Sequence, residues 1–138
     1  VAVGVTLGRE TDELIRKRML TDPALGAAIG AAASAYADAC LSEALRGAEG
    51  GYRERGLRFS PRFSPGYGDL PLETQGPLCE ALELWRAGVG LTKGFMLLPE
   101  KSVTALVAVR EAGTCEERAQ GERACDRCAA ADCPYREE

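Results

Sequence analysis

Histidine is absent from this 138-residue chain. Without an imidazole it lacks the commonest general base, the serine or cysteine triad, and any imidazole ligand to zinc or cobalt. Hydrolysis by the usual routes is therefore not expected. There is no G-x-G-x-x-G after a strand and no G-x-x-x-x-G-K-[ST], so neither a dinucleotide fold nor a P-loop is indicated. The glycines between Arg46 and Tyr52 follow a helical stretch instead of opening one. Basic excess is missing too. Lys and Arg number 17 against 21 Asp and Glu, for a net charge of -4, so nucleic acid is not an expected partner. An uninterrupted apolar run of about 18 residues is lacking. The alanine-rich stretch from Ala24 to Ala39 is broken by Gly26, Gly30, Ser34 and Asp38, and no membrane span is expected. No signal peptide is recognisable, and a chain starting at Val1 is expected to be a fragment or a trimmed product.

A chain of this length fits one domain that buries roughly two-thirds of its unfolded surface. Val1, Val3, Val5 and Leu7 alternate with Ala2, Gly4 and Thr6, the period of a half-buried strand in which Gly4 can admit a second backbone. Acidic Glu10, Asp12 and Glu13 precede Arg16, Lys17 and Arg18, which suits the dipole of a helix from Thr11 to Leu20. Asp22-Pro23 reads as N-cap and first residue of a second helix running to about Arg46. Gly26, Gly30 and Ser34 recur every four residues, so this helix can lie close against a neighbour. A third helix is predicted from Pro77 to Gly88, with Leu78, Leu82 and Trp85 on its apolar stripe and Trp85 in the core. GFMLL and SVTALVAV, separated by Pro99-Glu100-Lys101, read as a hairpin with Val103, Ala105, Val107 and Val109 on one face. Cys40 and Cys79 fall inside helices as small buried hydrophobes. The expected class is α+β: a twisted antiparallel sheet with helices packed on it over residues 1–110, and a Cys-rich tail over 111–138.

The densest backbone punctuation is RFSPRFSPGYGDLPLETQ, from Arg58 to Gln75. Pro65 presets φ for the second position of a tight turn, and Gly66 supplies the positive φ that the third position of a type II turn requires. Arg62 precedes the turn with a planar fork of donors suited to a carboxylate, and Tyr67 follows it with a flat face and a hydroxyl. A rigid surface loop is the alternative reading.

RFSPGYGDLPLETQ followed by LTKGFMLLPEKSVTALVAV resembles the S-adenosylmethionine-binding activation domain of cobalamin-dependent methionine synthase, in particular its short stand-alone relatives. The resemblance covers Val3 to Val109 and is most specific at Arg-x-x-Pro-Gly-Tyr. It implies that Arg62, Ser64, Pro65, Gly66 and Tyr67 hold the methionine carboxylate and parts of the nucleoside. Arg58 lacks the spacing to the turn. An acidic residue on the preceding helix is implied as well, with Asp38 and Glu43 in competition. The family's N-terminal portion, with a further acidic ligand, is absent from this sequence, and its C-terminal aromatic ligand is replaced by the stretch around Cys115.

Cys115, Cys125, Cys128 and Cys133 form the second chemical signal, the last three as C-x2-C-x4-C. Four thiolates can complete a tetrahedral zinc site or hold an iron–sulfur cluster. Disulfides are the third possibility, and they suit a secreted mini-protein better than this chain. Spacing alone does not separate zinc from iron–sulfur, and the family context favours iron–sulfur.

The resemblance therefore implies a cytoplasmic protein that binds S-adenosylmethionine and assists reductive reactivation and methylation of a corrinoid protein or methionine synthase. Cobalamin would reside on the partner, and an iron–sulfur cluster or an electron donor would supply the electron. Cobalt is the nucleophile in that family, so the absence of histidine is compatible with it. The alternative is a non-catalytic domain that binds a partner or corrinoid protein, its tail clamped by zinc.

Overall fold

In the computed structural model, which describes residues 1–112, the long second helix is the element on which the rest is laid. Helix α1 (Arg9–Thr21) and helix α2 (Pro23–Arg53) form an antiparallel pair. Asp22 links them: its Oδ1 accepts the Leu25 N–H at 3.1 Å, and Pro23 occupies the first turn of α2, where no N–H is needed. Of the recurring small residues it is Gly26 that makes the close pairing their spacing predicts, whereas at Gly30 the nearest atom of α1 would be an ordinary 3.8 Å from a Cβ. A Cβ on Gly26 would stand 2.6 Å from the Met19 backbone nitrogen, so only glycine admits α1 at this distance.

Helix α2 runs past the expected end at Arg46, through Gly47, Gly50 and Gly51, to Arg53. Tertiary ties offset the weak helix propensity of those glycines. Glu49 accepts the Phe59 N–H at 3.1 Å and pairs with Arg53 at 2.9 Å, while the Tyr52 ring packs 5.0 Å from that of Phe59. The chain then reverses at Gly56, with φ +73°. By length and composition α2 is apolar enough to cross a bilayer, which the interrupted run did not lead us to expect. Within the domain it packs on α1, β1 (Ala2–Thr6), β2 (Leu57–Phe59) and β5 (Ser102–Leu106).

The α+β class is observed, with the antiparallel structure divided among three two-stranded ladders in the described residues. Strand β1 pairs with β5 over five residues, from Ala2 opposite Leu106 to Thr6 opposite Ser102. Strand β2 pairs with β6 (Val109–Glu111), and β3 (Gly90–Leu91) pairs with β4 (Leu97–Leu98). The predicted hairpin between GFMLL and SVTALVAV is therefore wrong: β4 takes β3, and β5 takes the longer ladder that β1 offers. The segment from Ser102 to Glu111 changes partner midway, where Ser60 and Ala108 exchange hydrogen bonds of 2.9 Å. That change explains why Val103, Ala105 and Val107 reach the core with Leu41 and Leu45 while Val109, beyond it, is exposed.

Helix α3 spans only Gln75–Ala81. Glu83 adopts a left-handed conformation, with φ +48°, and a 3-10 turn over Leu84–Ala87 follows. The break shifts the helical period. Leu84 takes the inward position and packs on Gly4, where a Cβ would stand 2.7 Å from Leu84 Cδ2. Gly4 therefore admits a side chain, not the backbone that its place in a strand suggested. Trp85, predicted to be core, is 68% exposed. Cys40 and Cys79 are half-buried, on α2 and α3, and burial pushes the Cys79 thiol pKa up.

Candidate functional site

The Pro-Gly-Tyr segment forms the turn its residues dictate. Tyr67 N–H donates to the Ser64 carbonyl at 3.1 Å, and Gly66 has φ +88°, the conformation demanded at the third position of a type II turn. Gly66 N–H bonds the Leu70 carbonyl at 2.9 Å and Leu70 N–H the Tyr67 carbonyl at 3.2 Å, which folds a second turn onto the first. Upstream, Phe63 and Leu106 exchange backbone hydrogen bonds of 2.8 and 2.7 Å that fasten the loop to β5. Pro65 is buried, and Tyr67 is 75% exposed.

Arg62 reaches back to α2. Its Nη2 donates to Asp38 Oδ1 at 2.6 Å, and its Nη1 to Ser42 Oγ at 3.4 Å. Asp38 and Ser42 are four residues apart and so share one helix face. Glu43 lies on a different face and pairs with Arg46 at 2.5 Å. Of the two acidic candidates, Asp38 is thus the partner of Arg62. Arg58, the duplicate arginine, lies in β2 and donates to the Leu57 carbonyl at 3.1 Å.

Five of the predicted site residues line two separate cavities, while Asp38 and Glu43 line neither. Arg62 lines one of about 250 Å³ together with Ser42, Leu45, Glu49 and Phe59. Ser64, Pro65, Gly66 and Tyr67 line another, open cleft of about 740 Å³, together with Leu72, Gln75 at the start of α3 and residues between Thr92 and Thr104. The larger volume is typical of small-molecule sites, which occupy roughly 300–1,000 Å³.

Sequence reading missed Gln75, Phe95 and Thr104, which also line the larger cleft. Gln75 and Thr104 are buried and bonded to each other, Thr104 Oγ1 donating to Gln75 Oε1 at 3.0 Å. A polar pair separated by 29 positions has no local signature. Phe95 stood within a predicted strand, whereas it closes the β3–β4 hairpin with φ +61°.

Cys115, Cys125, Cys128 and Cys133 lie outside the described residues. Among the described residues no cluster of His, Cys, Asp and Glu could hold a metal ion. Neither a protein-family model nor a curated protein matches the chain.

Proposed function

We propose that the protein binds S-adenosylmethionine and assists the reductive reactivation of a corrinoid protein, as a short relative of the methionine synthase activation domain. The observation that carries this reading is the Arg62–Asp38 ion pair, with Arg62 two residues before a type II turn; the turn walls a ligand-sized cleft that Arg62 and Asp38 do not themselves line. A guanidinium and a carboxylate side by side complement the head of an α-amino acid: Arg62 suits its carboxylate and Asp38 its ammonium. Both side chains are partly exposed and satisfy each other, so an incoming zwitterion exchanges one ion pair for two. Ser64 to Tyr67 present a fixed turn on the nucleoside side.

S-adenosylmethionine supplies an electrophilic methyl group when bound, and the chain's contribution is to hold and orient it. A histidine-free protein suits that task, because no proton has to be abstracted. The cysteines of the tail are the proposed holders of an iron–sulfur cluster that carries the reducing electron.

Calorimetric titration of the full protein with S-adenosylmethionine tests the reading. Wild type should release heat at one equivalent per chain, and Arg62→Ala should lose at least tenfold in affinity, since a charged hydrogen bond contributes about 1.5–3 kcal/mol. Absence of binding by wild type would sink the proposal.

A further inference from the structure

Gln75 is only 4% exposed, yet it lines the larger cleft. Its bond from Thr104 fixes the amide plane and occupies one of the two lone pairs on Oε1. Nε2 has no hydrogen-bond partner among the described residues. Unlike Asp12 Oδ1, it is not sealed from solvent, and Gln75 lines the cleft, so a ligand there can offer its protons an acceptor. Buried donors are ordinarily satisfied, and one held ready at a cavity wall suits a ligand acceptor.

Phe95 lines the same cleft. Phe95 N–H donates to the Thr92 carbonyl at 3.0 Å and Thr92 N–H to the Met96 carbonyl at 2.9 Å, a three-residue hairpin loop whose last position is left-handed. Glycine is the usual occupant of that position, and here Gly94 comes one residue too early. An aromatic residue held with φ +61° is strained, and such strain recurs at ligand clamps. The ring comes close to the start of α3: its Cε1 lies 3.9 Å from where a Cβ on Gly76 would stand, next to Gln75.

We propose that Gln75 and Phe95 form a recognition subsite for an adenine ring. Phe95 covers one face of the ring, and Gln75 reads its edge. Nε2 donates to a ring nitrogen, and Oε1 accepts the exocyclic amine with its remaining lone pair, the pairing by which glutamine recognises adenine. Guanine and hypoxanthine carry an oxygen in place of that amine and leave Oε1 facing another acceptor. The identification of the ligand as S-adenosylmethionine rests on the function proposed above, whereas the subsite would take any adenine nucleoside.

The test is calorimetry of the full protein with S-adenosylmethionine, adenosine and inosine, using wild type, Gln75→Leu, Phe95→Gly and Arg62→Ala. Inosine should bind about tenfold or more weakly than adenosine. Gln75→Leu and Phe95→Gly should each weaken adenosine and S-adenosylmethionine by a similar factor, and Arg62→Ala should weaken S-adenosylmethionine alone. Glycine fits the left-handed position, so Phe95→Gly keeps the test open even if Gln75→Leu does not fold. If S-adenosylmethionine binds wild type and both cleft variants equally, the subsite is overturned and the proposed function stands. If adenosine binds in a Gln75-dependent way while S-adenosylmethionine does not bind, the proposed function fails and the subsite stands. Binding of no adenine ligand overturns both. A lower melting temperature for Phe95→Gly with unchanged affinity reduces Phe95 to packing and overturns its part.

Discussion

Arg62 Nη2 donates to Asp38 Oδ1 across 2.6 Å, joining the loop before the Pro-Gly-Tyr turn to a residue 24 positions earlier on α2. The side chains are 36% and 52% exposed, so solvent screens their attraction. A pair of this kind contributes about 0–1 kcal/mol to stability. Arg62→Ala and Asp38→Ala should therefore each move the unfolding free energy by no more than about 1 kcal/mol while weakening S-adenosylmethionine binding about tenfold or more. Arg62→Lys keeps the charge, loses the planar fork and should bind weakly. Chemical denaturation and calorimetry on the same samples check this. A large stability loss with binding intact would assign the pair to the fold.

Gly26 and Gly30 lie four residues apart on α2, yet alanine should act oppositely at the two positions. At Gly26 a Cβ meets the Met19 backbone nitrogen at 2.6 Å and its Cα at 2.8 Å, and a backbone cannot move aside as a flexible side chain can. Gly26→Ala should destabilise by about 1–3 kcal/mol as α1 is pushed away. At Gly30 the nearest atom is Ile15 Cγ2 at 3.8 Å, an ordinary contact. Gly30→Ala should stabilise by up to about 1 kcal/mol through helix propensity. Thermal melts of the two variants suffice, and equal signs would contradict the helix contact.

The contrast between those glycines marks what a sequence can disclose. The Asp22-Pro23 helix start and the Pro65-Gly66 turn were readable because cap and turn are satisfied within four residues. The choice between Asp38 and Glu43 was not, since it depends on which face of α2 meets a loop 24 positions away. Trp85 was misplaced because one left-handed glutamate, Glu83, resets the period, and glutamate carries no signal for that conformation. Gln75 and Thr104 were invisible for a related reason: they become a site only when α3 is laid against β5.

Glu49 couples the last turns of α2 to β2, and its carboxylate is held below the ordinary range. The Phe59 N–H is the largest cause, followed by the opposing effect of burial and then by Arg53, which lowers the pKa. A carboxyl with a depressed folded pKa binds fewer protons folded than unfolded. Its contribution is present above the ordinary carboxylate pKa and is lost as pH falls through the depressed folded value. Glu49→Gln keeps an acceptor for Phe59 but removes the charge. The variant should be less stable than wild type at neutral pH, with the gap closing in acid, as denaturant midpoints across pH would register. A gap independent of pH would mean the charge contributes nothing.

The four tail cysteines, Cys115, Cys125, Cys128 and Cys133, carry a spectroscopic prediction. Protein purified without oxygen should be brown, with broad visible absorbance from thiolate-bound iron and sulfide, and Cys128→Ser should lose the colour. Metal and sulfide analysis distinguishes a cluster from a clamp. Colourless protein with one zinc per chain would support the clamp reading instead.

Trp85 is the only tryptophan in the chain, so its fluorescence reports a single position. Its indole is 68% exposed, and the Arg86 guanidinium carbon lies 5.7 Å from the ring centre while that guanidinium also bonds Glu83 at 2.6 Å. Native emission should therefore resemble that of a solvated indole, and a neutral quencher such as acrylamide should reach it almost as easily as in the unfolded chain. A cation–π contact at an exposed site contributes only about 0.5–1 kcal/mol, so Trp85→Ala should cost little more than that. Leu84, one residue earlier, is buried against Gly4, and truncation of a buried leucine costs about 2–5 kcal/mol. If the left-handed residue at Glu83 sets the period, Leu84→Ala is the damaging change and Trp85→Ala the mild one. A blue-shifted, protected indole together with the reverse order of damage would restore the uninterrupted helix and place Trp85 in the core.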